Sequence, residues 1–448
     1  MGRMLTSNAL LRASLALLLL GFLAGCGGTA ALAPAVPARL DRIQSETRDG
    51  VTVEVAIPTR EEADGLFGVP FAEFAIQPIW VDVRNESAEG LWLLAVAIDP
   101  EYYSADEAAE LAGGRLDDES RAELRQRLRN AAMPLYVPAG GRSAGYVYAS
   151  GRKGGRLVDV RLVGHEFSVR MRFAVLLPEA GLDYHESGLG QRYRRIHELP
   201  SVGLDELRER LEALPCCTTN EDGTSNGDPL NLVIVGPGED GIASLLASGW
   251  DFTEAVSLDS IRRMVGAAIA ENRYLTAPVS SLYAFGREQD AALQQGRSTI
   301  SQRNHMRLWI APFRYEGQPV WVGQVSRDVG VKLTSRSASL TTHVIDPAVD
   351  EAREHVMQGL LFVEAVERFA FVGGVGAATA EAPRENLTGD PYFTDGNRLV
   401  VFVSEQPVPP ESARNLRWKL QTDPIREAQR IDADVPLESR EEAGDASR

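Results

Sequence analysis

The chain has 448 residues, 44% of them hydrophobic, and a formal net charge of −17 at pH 7. The length suits two domains and the apolar content two packed cores. So acidic a chain lacks the electrostatic footprint of a nucleic-acid binder and would be repelled by anionic lipid headgroups unless lipid held it there. Nearly all its positive charge is arginine, with lysine only at Lys153, Lys332 and Lys419.

The amino terminus carries Arg3 and Arg12 and no acidic residue, then runs apolar from Ala13 to Gly25. As a helix, about thirteen residues reach only ~20 Å, short of the ~30 Å a permanent span must cross. The segment reads as a cleaved signal, residues 1–26. It ends in Leu23-Ala24-Gly25-Cys26, which resembles the lipobox of bacterial lipoproteins: an aliphatic residue, two small ones, and a cysteine whose thiol receives lipid. Cys26 is therefore the expected lipidation site, the alternative being an ordinary secretory signal that contains a cysteine. Acyl chains contribute about 0.8 kcal/mol per buried methylene, so two or three of them would anchor the chain essentially irreversibly. The resemblance extends to sorting: Gly27, in place of Asp, implies the outer membrane, with the protein facing the periplasm. No second stretch is long and apolar enough to span.

Residues 27–40, Gly-Gly-Thr followed by an Ala and Pro mixture, read as a flexible tether. Over 41–205 short alternating apolar runs dominate, among them Val51–Val55, Ile79–Val83, Leu91–Val96, Gly145–Tyr148, Val158–Leu162 and Phe173–Leu177. One exposed helix or helical pair interrupts them, roughly Ser104 to Ala132. An immunoglobulin-like β-sandwich with a helical insertion is the expected architecture.

Residues 206–229 read as a linker: a short charged helix from Leu207 to Leu214, then Cys216-Cys217 and a turn-rich run from Asn220 to Pro229. Outside the cytoplasm the two cysteines can pair, although adjacent Cα atoms lie only ~3.8 Å apart, below the usual range for a disulfide. A strained vicinal disulfide open to reduction, and two unpaired thiols, are both admitted. The acidic and amide residues after them invite a calcium-loop reading, but the terminal Glu of that motif is missing and plain turns account for them.

From 230 to 405 the pattern becomes mixed α/β, giving an α+β protein overall. A buried strand at Leu230–Val235 precedes a short helix to Trp250, and Ser257 caps a second helix. Strands follow around Ser281–Phe285, Arg303–Tyr315, Pro319–Leu333, Thr341–Ile345, Val366–Val372 and Arg398–Ser404. A helix runs from Pro347 to Ala365 with Asp346 as its N-cap. The tail, 406–448, is expected to be largely disordered.

Blocks in this second half carry a resemblance. Gly227-Asp228-Pro229-Leu230-Asn231, Ser248-Gly249-Trp250, Gly286-Arg287-Glu288-Gln289-Asp290, Arg303-Asn304-His305-Met306-Arg307-Leu308-Trp309, Trp321-Val322-Gly323 and Thr342-His343 through Ala352-Arg353 together resemble the LssY C-terminal domain family over about 228–405. Ala352 departs from the family's Glu before the Arg. The resemblance implies a bacterial envelope setting but no activity.

The hairpin from Arg303 to Asp328 is the most informative stretch for chemistry. With Glu316 and Gly317 as a two-residue turn, His305 falls opposite Asp328, Arg307 opposite Ser326 and Trp309 opposite Gln324. Alternation puts Met306, Leu308 and Ile310 on the apolar face and gathers imidazole, carboxylate, guanidinium and hydroxyl on the other. Such groups suit acid-base work with an anion clamp. His305, Asp328 and His343 are the catalytic candidates, with Arg287, Arg303, Arg307, Asp346, Asp350 and Arg353 as binding candidates. A phosphoester-hydrolysis site or a two-His, carboxylate metal site is conceivable. Against these, Asp350 and Arg353 form an ordinary i,i+3 surface pair, and His305 with Asp328 equally make a satisfied structural pair. His165, His185, His197 and His355 are read as solvated. Gly373-Gly374-Val375-Gly376 reads as a turn, since no Lys-Ser/Thr completes a phosphate loop. No cofactor and no resident metal are expected. The first expectation is a non-enzymatic module binding an envelope protein or ligand. The second is a periplasmic hydrolase acting on a phosphate- or lipid-bearing envelope substrate.

Overall fold

The computed structural model describes residues 42–177, 189–254, 279–296, 303–333 and 341–419. The expected signal peptide with Cys26, the tether, the helix capped by Ser257 and the tail beyond 419 lie outside the described residues. Among those described, no helix is long and apolar enough to cross a membrane.

The first domain has eight strands: β1 (Gln44–Arg48), β2 (Val51–Ala56), β3 (Ile76–Asn85), β4 (Leu91–Leu93), β5 (Tyr136–Val137), β6 (Arg142–Ser150), β7 (Gly155–Val163) and β8 (Ser168–Leu176). They form two antiparallel sheets, ordered β1-β2-β3-β6 and β5-β4-β7-β8. Alternation dictates the packing. Val51, Val53 and Val55 of β2 with Ile79, Val81 and Val83 of β3 meet Val158, Val160 and Leu162 of β7 in one core. Each such side chain, fully buried, contributes about 1.5–3 kcal/mol.

The opposite face of the first sheet, with Trp80, Tyr146 and Tyr148, is covered by helices α1 (Arg60–Phe67), α2 (Ala105–Ala112) and α3 (Asp118–Ala131). Thr59 and Ser104 start α1 and α2 with full capping boxes. The region expected as one helix or a pair is a pair. Gly113-Gly114 ends α2, and the Asp117 carboxylate restarts the helix by accepting from the Ser120 N–H at 2.8 Å.

The second domain begins earlier than expected. The chain from 189 onward supplies Leu189 and Val202 to its cores, and β9 (Ser201–Val202) pairs with its longest hairpin. The segment read as a linker is built into this domain as α4 (Leu204–Glu212), β10 (Cys217–Thr219) and β11 (Asn226–Pro229). Its Leu207 and Leu211, four apart on α4, are fully buried.

Next in order come β12 (Leu232–Val235), α5 (Gly238–Ala247), β13 (Asp251–Phe252), β14 (Tyr283–Ala284), β15 (Arg287–Glu288), β16 (Ala291–Gly296), β17 (Arg303–Tyr315), β18 (Gln318–Leu333) and β19 (Thr341–Ile345). Then follow α6 (Val349–Phe362), β20 (Val366–Val372), β21 (Arg384–Glu385), β22 (Pro391–Tyr392), β23 (Arg398–Val403) and β24 (Arg414–Asn415). The main mixed sheet runs β13-β16-β17-β18-β12-β23-β20-β24, with β19 also on β18. One face packs on α5 and α6 through Met306, Leu308, Val325, Leu246 and Val356. The other packs on α4 and a small β11-β10-β14-β15 sheet through Val233, Trp309 and Val322. Part of the expected disordered tail belongs here, because β24 pairs with β20 and Leu416 and Trp418 pack on that second face.

Candidate functional site

The β17–β18 hairpin positions the candidate residues, and its register differs from the expected one for a local reason. At the turn, Tyr315 pairs with Gln318 and Glu316 and Gly317 take φ of 47° and 85°, as a two-residue hairpin turn requires. Between Ile310 and Arg314 a bulge slips the ladder by two, so His305 faces Ser326, Arg307 faces Gln324 and Trp309 faces Val322. A slip of two leaves every side chain on its original face. Imidazole and carboxylate therefore still meet, diagonally: His305 Nε2 lies 3.1 Å from Asp328 Oδ2.

Arg287, a binding candidate, serves the bulge instead. β16 stops at Ala291, and the next outward-facing groups of β17 are the N–H and C=O of Ile310. The Asp290 carboxylate accepts from that N–H at 2.7 Å and Arg287 donates to that carbonyl at 2.7 Å. Arg287 also pairs with Asp290 at 2.7 Å, so two side chains prolong the ladder where the strand has ended.

Around His305 and Asp328 lies a buried polar cluster. Arg303 Nε is 3.5 Å from Asp328 Oδ2, and Arg303 Nη1 donates to Gln294 at 2.6 Å. Arg307 donates to Gln324 at 2.8 Å and to the Ser280 carbonyl at 2.9 Å, while Gln324 donates to Ser326 at 2.9 Å. Asp228 of β11 covers the cluster and accepts from Asn386 at 3.1 Å. Burial raises the Asp328 carboxyl to about 7 against the pull of Arg303 and Arg307, with Asp228 adding to the rise. Asp228 is raised too, again by burial first, with Arg307 opposing. The cluster thus holds a carboxyl raised to about 7 beside an imidazole, with two guanidinium groups that donate to Gln294, Gln324 and Ser280.

The other candidates disperse. His343 sits in β19 opposite Val331, and its side chain lies outside the described residues. Asp346 does not cap the helix: α6 begins at Val349 with Ala348 before it, and the Asp346 carboxylate accepts from the Ala348 N–H at 3.0 Å in a turn. Asp350 and Arg353 are not a surface pair. Arg353 is fully buried, donates to Asp395 at 3.0 and 3.2 Å and to the Asn397 carbonyl at 2.7 Å, and lies over Phe371. Asp350 accepts from Thr394 at 2.8 Å and from the Asp395 N–H at 2.6 Å. Together they tie α6 to the loop before β23. His355, expected to be solvated, is within 2.8 Å of Gln295 Oε1. Among the described residues no three His, Cys, Asp or Glu side chains converge as a metal site.

Cys216 and Cys217 form a vicinal disulfide, their Cα atoms 3.8 Å apart, with Cys217 buried against Tyr392. Residues that sequence reasoning did not assign to the site are Asp228, Gln294 and Asn231. Gln324 and Ser326 precede Asp328 at alternate positions of one strand, the polar face on which alternation gathers the cluster. Asn231 bridges β12 to β18, with its amide donating to the Val325 carbonyl at 3.1 Å and accepting from the Val325 N–H at 3.0 Å.

These blocks coincide with a known family. The family model described as LssY C-terminus matches residues 208–397. The second domain is an LssY-like C-terminal domain. No curated protein matches the chain. The family match starts inside α4 and takes in the hairpin, the polar cluster and α6, so the LssY-like unit includes the segment first read as a linker.

Proposed function

We propose that the protein is a lipid-anchored envelope module, attached through Cys26 and facing the periplasm, that binds a partner or ligand rather than turning over a substrate. The observation that carries this reading is the burial of the polar cluster and the engagement of its arginines with neighbouring side chains among the described residues. Arg307 is committed to Gln324 and Ser280, Arg303 to Gln294 and Asp328, and His305, Arg303 and Asp328 are all at most 6% exposed. An anion clamp needs a fork turned toward substrate, and these forks face their neighbours. The first domain is read as immunoglobulin-like, an architecture widely used for interaction. Its order supports this: after the edge strand β1, strands β2, β3 and β6 share one sheet and β4, β7 and β8 the other, the A-B-E and C-F-G arrangement of that fold.

One observation favours a second reading, a periplasmic hydrolase of phosphate- or lipid-bearing substrates. It is the Asp328 carboxyl at about 7 beside His305, a pairing suited to proton transfer at neutral pH. A single comparison separates the two. Native protein, its Cys26→Ala variant and its Asp328→Asn variant are labelled with palmitate in cells and assayed on a phosphate monoester and an acyl ester. The first reading expects label on the native and Asp328→Asn chains, none on Cys26→Ala, and no turnover by any. Turnover lost in Asp328→Asn would establish the hydrolase, and an unlabelled native chain would remove the anchor.

A further inference from the structure

The outer face of the sheet β5-β4-β7-β8 meets the LssY-like domain, and a cleft of about 300 Å³ remains at their junction. Its wall includes Arg48 of β1, Arg170 and Arg172 of β8, Asp240 of α5 and Glu405 after β23. Two of the arginines have partners within the protein. Arg170 donates to Asp159 at 2.9 Å, and Arg48 donates to the Arg170 carbonyl at 3.0 Å and to Glu46.

Arg172 is placed differently. Its cross-strand neighbour on β7 is Asp159, but that carboxylate is already held by Arg170 and by Arg161, the latter at 3.0 Å. Both Arg172 Nη atoms are buried and have no hydrogen-bond partner among the described residues. Burial, followed by the charge of Arg170, lowers its proton affinity, Asp159 and Asp240 work the other way, and Arg48 adds to the lowering. A desolvated guanidinium with an empty fork is costly for a fold to keep. Its side chain lines the cleft.

We propose that this cleft is a binding site for a small oxyanion-bearing molecule, a carboxylate or a phosphate ester, gripped bidentately by Arg172. Asp240 and Glu405 line the same cleft and would meet an amine or hydroxyl on the same molecule. The volume falls at the small end of ligand pockets, which run from roughly 300 to 1,000 Å³. The inference depends neither on the lipid anchor nor on the His305 and Asp328 cluster.

Calorimetric titration of the full chain tests it, with inorganic phosphate and with acetate as probes, in chloride of matched ionic strength. Saturable binding of at least one probe is expected, and which one identifies the oxyanion. Arg172→Gln should weaken it by about tenfold or more, the loss expected on removing charge-assisted hydrogen bonds. Arg125→Gln, on exposed α3, should leave it unchanged. Without ligand, Arg172→Gln should melt no lower than the native protein, because a cation without a partner has been removed. No saturable binding of either probe, equal affinity in Arg172→Gln, or a lowered melting temperature for its unliganded form would each overturn the proposal.

Discussion

Asp328 makes the stability of the LssY-like domain sensitive to pH. Its carboxyl titrates near 3.8 when unfolded and is raised by burial to about 7 when folded. Between those values the folded state holds a proton that the unfolded state has lost, so stability is fully present below about pH 4 and declines as pH rises through 7. Asp228 and Asp350 are raised as well, each by burial, and push in the same direction. Denaturant titrations at pH 5 and pH 8 should therefore give a lower midpoint at pH 8. From pH 5 to the folded value of about 7 is about two pKa units, so the difference is up to about 3 kcal/mol. Asp328→Asn should flatten much of that slope, because the amide has nothing to lose on ionisation. An unchanged slope in the variant would mean that other groups carry the pH dependence.

Elements of this fold were legible in the sequence where they obey a local rule. Strands β17, β18, β19, β20 and β23 follow from alternation and length, and the Glu316–Gly317 turn follows from glycine chemistry. The meeting of His305 with Asp328 was legible because any even slip preserves the face. The bulge itself was not, since it is held by Arg287 and Asp290 from a segment some twenty residues away. Arg353 was misread for a related reason: an i,i+3 spacing to Asp350 looks the same on a surface as in a core, and Phe371 and Asp395, which bury it, come later in the chain. Arg353→Ala leaves Asp350 and Asp395 buried without their counterion. The expected cost is about 3–5 kcal/mol, as for breaking any buried ion pair from one side. Urea denaturation reads this as a lower midpoint at unchanged slope. A loss under about 1 kcal/mol would return the pair to the modest role of a surface ion pair.

At the scale of the whole molecule, the two domains share a boundary that the sequence did not reveal, because each half carries its own clear pattern. Leu157 and Ala174 of the sandwich pack into the same core as Trp250, Phe252 and Leu246 of the LssY-like domain. Arg152 pairs with Asp251 at 3.4 Å and Lys153 with Glu254 at 3.7 Å along the rim. Gly155 approaches closely: a Cβ there would lie 2.8 Å from the Phe252 ring. Phe252 is itself buried, so the ring has little room to withdraw. Gly155→Val should accordingly pry the domains apart at the core they share through Phe252. Calorimetry is expected to give one cooperative transition for the native protein and two for the variant. The same substitution bears on the cleft, since Asp240 and Glu405 come from one domain and Arg172 from the other. If the junction forms the site, anion affinity in Gly155→Val must fall together with the coupling of the two transitions. Affinity that survives the separation would place binding on β8 alone.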